Sequence, residues 1–249
     1  AAGMATVGKI PFIFTAGAFL AYRSLEFIRD DVCFQNLNVK ITGMGSGLAW
    51  SSLGPTHHTT EDIAVLRSLP NLMILSPATP KQVSESLEIS YNYEGPVYIR
   101  IGMNHEKEFY GENYRMKVGK NDILKDDGEI SIFVTGSILE EVHEAVELLE
   151  NDGISANLIN VYSIKPLDKE CILEQSEKSR LFFTVEEHNV YGGLGSAIAE
   201  VLTDYGIGKR LCRIGIKDTF AMGYGTHKSV RVANGLDSQS IYRRIVEAL

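Results

Sequence analysis

Gly43-Met44-Gly45-Ser46-Gly47-Leu48-Ala49-Trp50-Ser51-Ser52-Leu53-Gly54-Pro55-Thr56-His57-His58 joins a short β-branched run, Val39–Thr42, to a segment with helical periodicity from about Thr59 to Ser68. Sixteen residues without a period are long for a strand-to-helix connection, and such loops in compact domains usually carry function. In open α/β sheets, ligands bind outside the carboxyl ends of the strands. This loop leaves a strand end and enters a helix start. Its glycines let backbone approach a ligand closely. The helix start offers free N–H groups, and a histidine placed there can exchange protons with a substrate oxygen. Spacing alone also allows two adjacent histidines that simply sit in a polar loop.

Working outward, the same alternation recurs. Ile10–Thr15 reads as a strand and Ala18 to about Cys33 as a helix, with Phe19, Tyr22 and Glu26 on one face. Thr59 and Asp62 read as a capping pair for the next helix. Leu72–Leu75 is a strand, Thr79-Pro80 opens a helix to about Asn92, and Pro96–Ile101 is a further strand. The polar stretch Met103–Gly128 is the candidate boundary, so the domains are expected at 1–115 and 116–249. Beyond it come a strand at Ile130–Thr135 and a helix at Ser137–Asn151, with Val142, Ala145, Val146 and Leu149 inward. Ile154–Val161 is a strand, Asp168–Lys178 a helix, Leu181–Val185 a strand and Gly193–Tyr205 a helix. Cys212–Ile216 is the last strand and Ser238–Ala248 the last helix. Strands alternating with helices of this length predict an α/β protein of two doubly wound parallel-sheet domains.

Composition narrows the function. The 249 residues carry 24 Lys+Arg against 32 Asp+Glu, a net charge of −8. Without a basic stripe, that argues against nucleic acid and anionic membranes as partners. The apolar run Ile10–Ala21 is too short to span a bilayer. Cys33, Cys171 and Cys212 are odd in number and widely spaced, which suits reduced thiols in a cytoplasmic protein. No residues have metal-ligand spacing. Gly192-Gly193-Leu194-Gly195-Ser196-Ala197 looks like a dinucleotide loop, but Ile198 stands where Gly or Ala is required. It is read as close packing of a helix on a sheet, behind an acidic mouth of Glu186, Glu187 and His188. His143 is expected on a solvated, Glu-rich helix face, His105 in the linker, and His227 in a late loop after Gly223-Tyr224-Gly225-Thr226, bordering a second crevice. Phe19 and Tyr22, read from spacing, belong more readily to a core than to a cofactor box.

Gly54-Pro55-Thr56-His57-His58-Thr59-Thr60-Glu61-Asp62-Ile63 resembles the Gly-Pro-Thr-His signature of transketolases. Gly8-Lys9-Ile10-Pro11-Phe12, Phe19-Leu20-Ala21-Tyr22, Ile28-Arg29-Asp30-Asp31 and Asn36-Leu37-Asn38-Val39-Lys40 resemble that family's pyrimidine-binding domain. Thr184-Val185-Glu186-Glu187-His188 with Gly192-Gly193-Leu194-Gly195-Ser196 resembles its C-terminal domain. The chain is most similar to the C-terminal subunit of split, two-gene transketolases.

The resemblance implies transfer of a two-carbon ketol unit between sugars with thiamine diphosphate. The cofactor would be shared with an N-terminal partner subunit that holds the diphosphate and its Mg²⁺ or Ca²⁺, in a self-associating dimer or heterotetramer. The chain would be inactive without that partner. The resemblance gives Phe19 and Tyr22 to the aminopyrimidine, His57 to proton handling, and His57, His58 and Gly45 to the substrate. Three positions depart from the family: Leu53 replaces an Asp, Gly45 a His and Met103 an Arg, which implies a substrate other than the usual pentose phosphates. The family's cofactor-activating Glu, with the first strand and helix of its domain, falls upstream of Ala1. A domain open at that edge predicts either exposed apolar surface covered by association or local disorder in residues 1–60. The readings set against this one are the β subunit of a 2-oxoacid dehydrogenase E1 and a non-catalytic assembly subunit.

Overall fold

The computed structural model describes residues 1–103 and 106–249; His105 lies outside them. In chain order, α1 (Ala2–Ala5) and β1 (Phe12–Ala16) are followed by a helical stretch of three parts. These are a wide i→i+5 turn at Phe19–Arg23, α2 (Leu25–Phe27) and a second wide turn at Ile28–Cys33. Then come β2 (Lys40–Met44), α3 (Asp62–Arg67), β3 (Met73–Leu75), α4 (Pro80–Asn92) and β4 (Val97–Ile101). The second half holds β5 (Asp122–Lys125), β6 (Ile130–Thr135), α5 (Leu139–Asn151), β7 (Ala156–Asn160) and β8 (Ser163–Lys165). It continues with α6 (Lys169–Lys178), β9 (Leu181–Asn189), α7 (Leu194–Asp204), β10 (Leu211–Ile216), α8 (His227–Ala233) and α9 (Ser238–Ala248).

Among the described residues there are two five-stranded sheets, ordered β1-β2-β4-β3-β8 and β10-β9-β6-β7-β5. Both are parallel except at one edge, where β8 and β5 run antiparallel to β3 and β7. The expected α/β architecture is therefore present, with two corrections. β5 lies in the polar stretch read as the candidate boundary, where the sequence predicts no element. β8, three residues from the second half, completes the first sheet across the expected boundary. Both were masked by polar sequence: Asp122 and Lys125 bracket β5, and Ser163 and Lys165 bracket β8.

Central strands are buried on both faces and read as apolar runs. Every residue of Ile130–Thr135 is buried. Thr79 accepts the Gln82 N–H at 3.2 Å ahead of Pro80, as its sequence requires. Val142, Ala145, Val146 and Leu149 of α5 are all buried. The capping pair Thr59/Asp62 does not form. Glu61 is the cap residue of α3, and the Asp62 carboxylate turns inward to a buried tyrosine and arginine, described below. The helix expected over Ala18–Cys33 is broken by the two wide turns, and Glu26 ends up exposed.

At the other edge, β1 has a strand on one side only. Phe12 and Phe14 are 43 % and 60 % exposed, with Phe27 and Phe34 exposed nearby in sequence. The apolar edge is thus present.

The glycine run at the start of α7 serves packing. A Cβ on Gly195 would lie 2.7 Å from both Thr184 Oγ1 and Arg213 Cδ. Gly195→Ala is expected to lower stability by about 1–3 kcal/mol through overpacking. Urea denaturation checks this; an unchanged midpoint would refute the close approach.

Candidate functional site

β1 and β2 pair in parallel, so their carboxyl ends lie side by side. The 43–58 loop rises from the end of β2 and is closed at its base. Gly47 and Thr59 exchange both backbone hydrogen bonds, at 3.0 and 2.8 Å. At the far end the Gly54 carbonyl accepts the N–H groups of His57 (2.9 Å) and His58 (3.2 Å), forming a tight turn. Gly54 needs φ +75° there, a region that favours glycine.

That turn sends the two histidines in different directions. His57 is half-buried, with ring centroids 4.9 Å from Phe19 and 6.5 Å from Trp50, both edge-to-face. Its Nδ1 lies 2.9 Å from Thr56 Oγ1. His58 is only 3 % exposed, and neither ring nitrogen has a hydrogen-bond partner among the described residues. Burial, opposed by the nearby Glu187 carboxylate, pushes its pKa below the ordinary imidazole range and keeps it neutral. Gly45 is buried beneath Trp50. The indole occupies the space a side chain would need, and its N–H donates to the Met44 carbonyl at 3.3 Å. The position where the resemblance expects a histidine is therefore filled by an aromatic wall. Leu53 and Met103 are 45 % and 39 % exposed and bring no polar group in place of the family's Asp and Arg.

Phe19 and Tyr22 sit in the first wide turn after β1, which aims Phe19 at His57 and Tyr22 at the start of α3. Tyr22 donates to Glu61 Oε2 at 2.7 Å and accepts the Glu61 N–H at 2.9 Å. Burial first, then the carboxylates of Asp62 and Glu61, hold its phenol well above the usual range, so it remains a donor. The structure brings Phe19 against His57 and Tyr22 against Glu61 at the start of α3, whereas His58 and Gly45 are buried. Sequence reasoning missed Trp50 and Glu61; both fall within the glycine-rich loop or its signature, and that was the available signal.

Beneath the crevice lies a buried polar layer that the sequence did not reveal. Arg100 of β4 is 1 % exposed. It donates to both oxygens of the fully buried Asp62 (2.9 and 3.1 Å), to the Thr59 carbonyl and to the Glu187 carbonyl (3.0 Å each). Tyr98 adds a 2.7 Å bond to Asp62. Arg100 is therefore committed to structure and does not substitute for an arginine at Met103. β9 continues past the expected end at Val185, so Glu186, Glu187 and His188 are buried within it and form no acidic mouth. Glu186 accepts the N–H groups of Leu194 and Gly195 at 2.7 and 2.9 Å. The chain's own carboxylate thus fills the anion site that the start of α7 would offer a phosphate. His143 is half-buried against Phe109, 5.1 Å between rings, and is not a solvated surface group.

Glu187 joins two basic side chains to the loop. Its carboxylate contacts His227 Nε2 at 2.9 Å and the Arg231 Nε, and accepts the Leu48 N–H at 3.2 Å. Burial opposes its ionisation, but Arg231 and His227 outweigh burial and hold the carboxyl well below the usual carboxylate range. The unfolded chain takes up a proton near pH 4.3, so the folded state is favoured fully above that pH and loses this contribution as pH falls below it. Between about pH 7 and pH 3, Glu187→Gln is expected to lose less stability than the wild type. Urea unfolding at the two pH values measures it, and equal losses would refute the assignment.

Two family profiles match the chain: the transketolase pyrimidine-binding domain over residues 1–104 and the transketolase C-terminal domain over residues 119–241. An apulose-4-phosphate transketolase subunit of Actinobacillus succinogenes is 36 % identical over 241 residues, covering 97 % of this chain and 78 % of that protein. A 6-deoxy-6-sulfo-D-fructose transketolase subunit of a Clostridium species is 33 % identical over 243 residues, covering 98 % and 75 %. A split-gene transketolase solved as an inactive β4 tetramer superposes with a TM-score of 0.92 at 35 % identity, covering all of this chain and 79 % of that one. The transketolase of Campylobacter jejuni shares the fold, with a TM-score of 0.76 at 18 % identity over 99 % of this chain and 37 % of its own. The chain belongs to the transketolase family and corresponds to the C-terminal subunit of its split members.

Proposed function

We propose that this chain is the C-terminal half-site of a split transketolase that moves a two-carbon ketol unit between sugars, with a pyrimidine-binding unit at 1–115 and a C-terminal unit at 116–249. The observation that carries the reading is the position of His57: half-buried at the carboxyl ends of β1 and β2, against Phe19 and beside Trp50. The split-transketolase relatives favour this reading over a 2-oxoacid dehydrogenase subunit or a non-catalytic assembly subunit.

On this reading the chain holds one end of thiamine diphosphate. Phe19 and Tyr22 offer ring surface for a flat aminopyrimidine, worth about 0.5–1.5 kcal/mol per stacked pair beyond area burial. The start of α7 is taken by the Glu186 carboxylate. Among the described residues, no group of three or more His, Cys, Asp or Glu could hold a metal ion. On this reading the diphosphate and its Mg²⁺ or Ca²⁺ are held by an N-terminal partner subunit. When bound, the cofactor supplies carbanion stabilisation, and the protein supplies placement. Within this chain, Phe19 and Trp50 fix the plane of the His57 ring. A Thr56 hydroxyl that donates to Nδ1 leaves Nε2 to exchange the proton of a substrate oxygen. Trp50, Leu53 and Met103 favour a substrate that needs fewer polar contacts than a pentose phosphate.

The apolar β1 edge, with Phe12 and Phe14 exposed, supports association with the partner and with a second copy of the chain. Among the described residues no helix is long and apolar enough to cross a membrane; with the reduced-thiol reading of the cysteines, a cytoplasmic location is proposed.

The test reconstitutes the chain with its N-terminal partner, thiamine diphosphate and a divalent metal, and follows glycolaldehyde-unit transfer. His57→Ala is expected to cut kcat by about 10²–10⁴-fold, and Phe19→Ala to weaken cofactor affinity more than it changes the fold. Full turnover in His57→Ala would remove that residue from the chemistry. No transfer by the wild-type complex with any ketose donor would remove the function.

A further inference from the structure

The loop that bears His57 is seated by one short segment of the second half. Ser51 Oγ donates to the Gly225 carbonyl at 2.9 Å, and the Gly225 N–H donates back to the Ser51 carbonyl at 3.2 Å. Two residues further on, His227 meets the Glu187 carboxylate that accepts the Leu48 N–H. Gly47 is tied to the same place, since a side chain there would overlap Glu187. Between these anchors, the Tyr224 ring covers Gly54: a Cβ on Gly54 would lie 2.6 Å from Tyr224 Cζ and closer still to Cε1.

Gly54 is the residue whose carbonyl holds the N–H groups of both His57 and His58. Only one residue therefore separates the Tyr224 ring from the turn that orients the imidazole. Tyr224 is itself 70 % exposed and belongs to none of the apolar core clusters.

We propose that Tyr224 is a positioning residue for His57: its ring seats Gly54, and the Ser51–Gly225 pair and the Glu187–Leu48 bond hold the rest of the loop, so the second half sets the geometry of the turn that bears His57. The inference rests on the reading of His57 as the proton-handling group. Displacing a reacting group by about 1 Å can cost on the order of 10²-fold in rate, which is the scale expected if the seat is lost.

The experiment compares Tyr224→Ala and Tyr224→Phe in the full chain. In the complex with the partner subunit, thiamine diphosphate and divalent metal, Tyr224→Ala should lower kcat by up to about 10²-fold with KM little changed. Tyr224→Phe keeps the ring and should restore turnover. In parallel, the His57 ring signals of the chain alone are followed by ¹H–¹³C NMR, assigned by their loss in His57→Ala. They should shift or broaden in Tyr224→Ala and stay in place in Tyr224→Phe. Wild-type turnover and unmoved His57 signals in Tyr224→Ala would overturn the proposal. So would an equal loss of kcat in the Phe variant, which would point to the hydroxyl instead of the ring. Should His57→Ala prove fully active, the catalytic reading of His57 falls, and the NMR comparison still decides whether Tyr224 positions it.

Discussion

A guanidinium buried in the middle of a β-strand organises both halves of this molecule. Taking Arg100 out of water is costly, and the cost is offset only if its N–H groups find acceptors of good geometry. They do so in three places at once: the Asp62 carboxylate at the start of α3, the Thr59 carbonyl at the base of the 43–58 loop and the Glu187 carbonyl in β9. Each acceptor belongs to a different element. Satisfying one side chain therefore fixes where a helix begins, where a loop closes and how the second sheet meets the first.

The rest of the boundary repeats this logic. The Asn189 N–H donates to the Thr60 carbonyl at 2.6 Å, and the Ala64 N–H donates to His188 Nε2 at 3.3 Å. Arg67 grips Glu200 of α7 with both terminal nitrogens, and Lys165 of β8 donates to the Arg67 and Leu69 carbonyls. Polar contacts of this kind add little net stability compared with a well-packed apolar interface, but they demand one mutual placement. That suits a chain whose aromatic crevice is framed by residues from the first half and braced from the second.

The crevice also explains why histidine count is a poor guide to chemistry here. Adjacent His57 and His58 hydrogen-bond to the same carbonyl through their backbone, yet one ring is half-buried against Phe19 and the other is fully buried. His227 and His188 serve as partners of buried groups, and His143 as a packing surface. Among the described histidines, only His57 combines partial exposure at the strand ends with aromatic neighbours that fix its plane.

Local sequence determined the layout. Alternating apolar runs and helical periodicity set the parallel sheets, Thr79-Pro80 set the start of α4, the apolar positions of α5 set its buried face, and the Gly-Pro-Thr-His run marked the functional loop. These signals are local because they depend on backbone geometry and on which face of an element sheds water. Only the tertiary structure decided the rest. β5 and β8 are edge strands with polar sequences, formed because a neighbouring strand offers free hydrogen-bonding groups. Asp62 abandons a capping role because Tyr98 and Arg100, more than thirty-five residues away, reach it first. Glu186 and Glu187 turn from an expected open mouth into buried acceptors because α7, α8 and the 43–58 loop converge on them. Charge in a low-dielectric interior is settled by whichever partner the fold delivers, and no local stretch of sequence carries that information.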